Sequence, residues 1–209
     1  MNPYVEAIFQ GFALGMTLCF SLGPSFLGLI QTSLRRGVKA GVSLAVGIFL
    51  SDVLCVGLAF LGASKVLGSD ENKMILGIVG GTILAVYGFY NVFAYKNHPP
   101  EEDKTIEVHA HNIPLGILKG FLLNILNPFV FLLWFGWVGF VSSKENFTSA
   151  HVWVFFITTL LVVLGTDLLK VMGAHKIKKL LSPKLMIWVN RILGLILVIL
   201  GVVLVFRTI

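Results

Sequence analysis

Two acidic residues lie where an acid is costly. Asp52 falls inside Gly47-Ile48-Phe49-Leu50-Ser51-Asp52-Val53-Leu54, and Asp167 inside Leu164-Gly165-Thr166-Asp167-Leu168-Leu169. Both stretches are otherwise apolar or small. A carboxylate at the centre of a membrane helix costs about 2.5–3.5 kcal/mol on insertion scales, so it marks a functional site by default. Such a group can hold an ammonium, or carry a proton by cycling between charged and neutral forms. For Asp167 a plain i,i+3 ion pair with Lys170 stands as the alternative. For Asp52 the alternative is structural satisfaction by a neighbouring helix.

Uncharged polar residues gather at two other points, each next to a proline. Ser21 and Ser25 bracket Leu22-Gly23-Pro24, while Asn124 and Asn127 precede Pro128 and share one helix face. Asparagine offers donors and an acceptor without charge. These side chains can satisfy the broken backbone, contact a substrate, or do both. Proline removes a backbone donor and clashes with the preceding turn, so each should break or kink its helix. In hydrocarbon the freed groups need other protein groups or a watery cavity. Paired interruptions in corresponding halves point to a transporter binding site.

The elements that must position these residues are membrane helices. Of 209 residues, 56% are hydrophobic and only 12% charged; the mean hydropathy is +0.91. Soluble domains carry about 25% charged residues. Six apolar runs reach the length of about 20 residues that a span needs. They cover Tyr4 to Ile30, Val38 to Ala63, Met74 to Tyr95, Ile113 to Val141, His151 to Met172 and Leu185 to Phe206. The first run has Glu6 and no basic n-region, so it is not expected to be a cleavable signal peptide. Expected, then, is an all-α integral membrane protein with six transmembrane helices, the first and fourth broken at Gly-Pro and Asn-Pro.

Three spans per half is an odd number, which makes the second half inverted relative to the first. Each half has a break in its first span and an acid in its second. The expected organisation is a first three-helix repeat over 1–95, a cytoplasmic linker over 96–112 and a second repeat over 113–209. Basic residues set the orientation. Arg35, Arg36 and Lys39, then Lys96, Lys104 and Lys119, then Lys170, Lys176, Lys178, Lys179 and Lys184 lie in or beside the odd-numbered loops. The other side has Lys65, Lys73, Lys144 and Arg207. Both termini are therefore expected outside, with the odd-numbered loops in the cytoplasm. The net charge of +6 reads as membrane topology, and no nucleic-acid partner is expected.

The linker holds Glu101, Glu102 and Asp103 with His98, His109 and His111. A His-x-His pair can bind a cation, and a solvated connection is the plainer reading. Cys19 and Cys55 form no CxxC, which leaves them as small core residues. Gly11-x-x-x-Gly15, Gly37-x-x-x-Gly41 and Gly116-x-x-x-Gly120 suit close helix packing, and a homo-oligomer is compatible with such faces. Trp134, Trp137, Trp153 and Trp188 are expected in an interfacial belt. Neither a GxxxxGK[ST] loop nor a Rossmann fingerprint occurs. No cofactor, resident metal or enzymatic activity is expected.

Taken together, Gly23-Pro24-Ser25, Arg36-Gly37, Gly41, Gly47 and Ser51-Asp52 resemble the first half of the lysine exporter (LysE/RhtB) family of amino-acid translocators. Gly116, Gly120-Phe121, Asn124, Asn127-Pro128 and the aromatic stretch Phe131 to Trp134 resemble its second half. The resemblance implies export of amino acids or related small metabolites, with the proton gradient as drive. It also implies two inverted three-helix repeats. Many members read Pro-Gly-Pro at the first break, where this chain has Leu22-Gly23-Pro24, and many carry a polar residue after Asn-Pro, where this chain has Phe129. Related families in the wider superfamily move divalent metals, which makes metal-ion export the alternative.

Overall fold

The computed structural model describes residues 2–19, 23–66, 70–94, 112–180 and 183–208. Helices α1 (Pro3–Leu18), α2 (Pro24–Arg36), α3 (Val38–Val66), α4 (Asp70–Ala94), α5 (Ile113–Ile125), α6 (Pro128–Ser142), α7 (Ser149–Met172), α8 (Ala174–Leu180) and α9 (Pro183–Thr208) account for nearly all of them. No strand occurs among the described residues. By length and composition, Val38–Gly62, Ser149–Met172 and Ile187–Arg207 each suffice to cross a bilayer. The pair α5 and α6, bent by 70°, makes a fourth if counted as one span, while Gly77–Phe93 is apolar but shorter.

Local sequence explains where helices start. Asn2 caps α1 by accepting from Tyr4 N at 3.0 Å, and Asn112 caps α5 by accepting from Leu115 N at 3.2 Å. Pro24 and Pro128 each occupy the first turn of a new helix. That position suits proline, since its missing N–H would have no helical partner there. Between α2 and α3 stands a single residue, Gly37, with φ +85°. Such a conformation is costly for a side chain bearing Cβ, so glycine permits the one-residue turn.

The helices form two compact units, each drawing on both halves of the chain. One gathers α1, α2, α3 as far as Ala59, α5, α6, α7 and α8 as far as Lys179. The other gathers the remainder of α3, α4 and α9. In the first unit α1 packs along α7, and α2 lies against both α5 and α7. A buried cluster of Leu29, Leu44, Ala45, Ile48 and Val171 joins α2, α3 and α7, with Leu123 of α5 against it. In the second unit α4 packs along α9 through facing glycines, Gly81 with Gly201 and Gly88 with Gly194.

The crossing of α3 and α5 is tighter still. A Cβ on Gly47 would run into the Ile117 carbonyl and the Phe121 amide, and one on Gly120 would run into the Leu44 carbonyl. Backbone thus lies directly on backbone, as small residues allow in membranes. Gly11 meets the Phe155 carbonyl in the same way on α7. Large apolar side chains point outward instead, among them Phe9, Phe12, Leu61, Tyr90, Leu161 and Phe206. So much exposed apolar surface suits a lipid surround.

Candidate functional site

Asp52 lies in the middle of α3, only 6% exposed. Its Oδ1 accepts from Asn124 Nδ2 at 2.7 Å and from Trp134 Nε1 at 2.9 Å. Asn124 ends α5 and Trp134 sits mid-way along α6. The same Asn124 amide also approaches Ser51 Oγ at 3.3 Å and the Ile48 carbonyl at 3.5 Å. On its other side, Asn124 Oδ1 accepts from Ser25 Oγ at 2.9 Å. One chain of hydrogen bonds therefore runs from the start of α2, through the end of α5, to Asp52 and on to α6.

Both donors fall on Oδ1. Every fully buried side-chain nitrogen or oxygen among the described residues has a partner. Oδ2 accepts neither of these two bonds. A carboxylate so held has one oxygen fixed by two donors and a second that neither of them occupies. The two side chains that donate to it, Asn124 and Trp134, are neutral.

The two breaks meet in space. A Cβ on Gly23 would lie 3.8 Å from Asn127 Nδ2. Asn127 caps α6, its Oδ1 accepting from Phe129 N at 3.1 Å. Gly23 precedes Pro24 with no side-chain cap, so the first N–H groups of α2 lack one. Among the described residues, α6 thus has a side-chain cap at its start and α2 has none.

Asp167 is treated differently. Lys170 Nζ donates to its Oδ1 at 2.8 Å, with both side chains about 10% exposed. The ammonium also sits over the Phe26 ring, 5.6 Å from its centroid. The ion pair foreseen as the plain alternative is present within α7, and the contact of Lys170 with Phe26 ties α7 to the first turn of α2.

Of the residues singled out from sequence, Asp52, Ser25, Gly23, Pro24, Asn124, Asn127 and Pro128 come together in this region. Ser21 and Leu22 lie outside the described residues, as do His98, His109 and His111. Among the described residues, no group of three or more His, Cys, Asp or Glu is placed to hold a metal. The interfacial reading of Trp134 is corrected: it is 1% exposed and bonded to Asp52. A signal for this was present. A buried indole N–H needs an acceptor, and Asp52 is the acid deepest in an apolar run.

An all-helical membrane protein with a hydrogen-bonded carboxylate buried beside two helix breaks belongs to the class of polytopic membrane proteins with an internal polar site. Residues 16–208 match the LysE type translocator family, and the chain belongs to it. The uncharacterized membrane protein PA4757 of Pseudomonas aeruginosa is 28% identical over 123 residues, which is 57% of this chain and 57% of that protein. The uncharacterized membrane protein YahN of Escherichia coli (strain K12) is 32% identical over 85 residues, 40% of this chain and 38% of that one. The chain thus spans little more than half, or less, of these relatives. No solved structure matches.

Proposed function

We propose that this translocator is a secondary transporter that exports amino acids or related small metabolites across the bacterial inner membrane by proton-coupled alternating access. In this reading six spans form two inverted three-helix repeats, 1–95 and 113–209, with both termini outside. The spans α1–α2 and α5–α6 are the broken ones. The observation that carries the reading is the junction at Asp52, where a buried carboxylate is held by neutral donors from α5 and α6 beside both breaks.

Asp52 Oδ2 takes the proton or the substrate ammonium. The uncapped N-terminus of α2 takes the substrate carboxylate, since free N–H groups at a helix start attract anions. Asp167 serves coupling through its exchange with Lys170. Family membership and the lack of a nucleotide-binding loop both favour a gradient as drive.

The test is counterflow in proteoliposomes with labelled amino acids and, separately, labelled divalent metals, with and without an imposed pH gradient. Counterflow of an amino acid, driven faster by the gradient and lost in Asp52→Asn, is expected. Efflux by correctly inserted Asp52→Asn protein at the wild-type rate removes Asp52 from the mechanism. Counterflow of metals alone overturns the substrate class.

A further inference from the structure

Trp134 joins α6 to Asp52, and nothing else polar does so. Among the described residues, its bond to Asp52 is the sole side-chain hydrogen bond from α6 to another helix. Apart from Trp134, the polar side-chain groups of α6 are the indole N–H of Trp137 and the hydroxyl of Ser142 at its end. The ring itself packs on Phe156 of α7, with centroids 6.3 Å apart. At its start, α6 turns 70° from α5 across Leu126 and Asn127. A rigid helix thus has a sharp bend at its start and one polar tether half-way along.

The two donors on Asp52 Oδ1 are not equivalent. Asn124 Nδ2 has Ser51 Oγ and the Ile48 carbonyl within reach as other acceptors. The indole nitrogen makes one bond, and indole can only donate. A hydrogen bond to an ionised acceptor is roughly twice as strong as one to a neutral group. Neutralising Asp52 at Oδ2 therefore weakens both bonds, and among the described residues Trp134 has no second acceptor to take up the loss, whereas Asn124 has two.

We propose that Trp134 is a positioning residue that senses the charge on Asp52 and passes it to α6: it grips the charged carboxylate and lets go of the neutralised one. The proposal rests on the transport reading for its purpose, since release of α6 is the step that would change access. Its physical content stands on the hydrogen bonding alone.

Other titratable or charged groups occur on the elements around this contact. They are Lys39 and Cys55 on α3, Arg35 and Arg36 on α2, Lys119 on α5, and His151, Asp167 and Lys170 on α7. The described side chains of α6 carry none. Any of them that altered the Trp134 signal would do so without Asp52, which sets the control.

The experiment uses the full chain in lipid nanodiscs with Trp137, Trp153 and Trp188 replaced by Phe, so that Trp134 alone emits. As pH falls, its emission should shift to the blue as the bond to the carboxylate is lost. Adding Asp52→Asn should abolish that shift, and adding Asp167→Asn should leave it. Infrared difference spectra supply a second readout. The protonated Asp52 C=O band, identified by its loss in Asp52→Asn, should keep its frequency in W134F, because the released indole no longer donates to the neutral carboxyl. A flat titration, a titration unchanged by Asp52→Asn, or a protonated Asp52 band that moves to higher frequency in W134F overturns the proposal. Failure of counterflow with the emission shift intact would overturn the transport reading and leave this one standing.

Discussion

Gly47→Ala tests whether the α3–α5 contact sets the site. A methyl at position 47 would lie 2.8 Å from the Phe121 amide nitrogen and nearer still to the Ile117 carbonyl oxygen. Ordinary contact needs about 3.4 Å or more. The neighbour is main chain of α5, which has no rotamer to change. The helices must separate by at least about 0.6 Å, the difference between those two values. Asp52 lies just over one turn further along α3 and Asn124 one turn along from Phe121. Their bond of 2.7 Å would lengthen to about 3.3 Å, beyond the usual N–H···O range. Overpacking of this kind costs about 1–3 kcal/mol. Thermal unfolding in nanodiscs should show that loss, and counterflow should fall with it. Gly57→Ala on the same helix is the control. Nothing lies within 4 Å of a Cβ there, so the change should be neutral or stabilise by roughly 0.5–1 kcal/mol through lower backbone entropy. Equal stability and equal transport for wild type and Gly47→Ala would refute the close-contact argument.

Other expectations are of the same kind. Asn124→Ala strips Asp52 of one donor and Ser25 of its nearer acceptor, leaving it the Leu123 carbonyl at 3.5 Å; the weakened network should cost about 1–3 kcal/mol and counterflow should drop, whereas wild-type melting and rate would show that the chain of bonds is idle. Asp167→Asn leaves the Lys170 ammonium buried without its counter-charge, a loss of about 3–5 kcal/mol in similar pairs. The double change Asp167→Asn with Lys170→Met should recover most of that stability in the same melting assay. A single variant as stable as wild type would show that the ammonium finds another partner.

Much of this protein is legible in the chain itself, for reasons that are local. Bilayer thickness sets the length of an apolar run, so α3, α7 and α9 follow from composition. Proline lacks a donor, so helix boundaries at Pro24 and Pro128 follow from two residues; that each proline would begin a helix and not merely kink one is equally a matter of its fixed φ and missing N–H. Asp52 announces itself because a carboxylate in hydrocarbon is expensive wherever the chain goes.

Tertiary structure decided the rest. Whether Asn124 would satisfy its own break or reach elsewhere depends on how closely α5 approaches α3, and Gly47 and Gly120 set that distance from opposite sides. Asp52 and Asp167 look alike in sequence, yet one is met by an amide and an indole from distant segments and the other by a lysine three residues on. Trp134 shows the limit most clearly. An indole suits a headgroup region as well as it suits a buried carboxylate, because its ring is apolar and its single donor takes any acceptor. Only the bend between α5 and α6, which sends α6 past the middle of α3, selects the carboxylate.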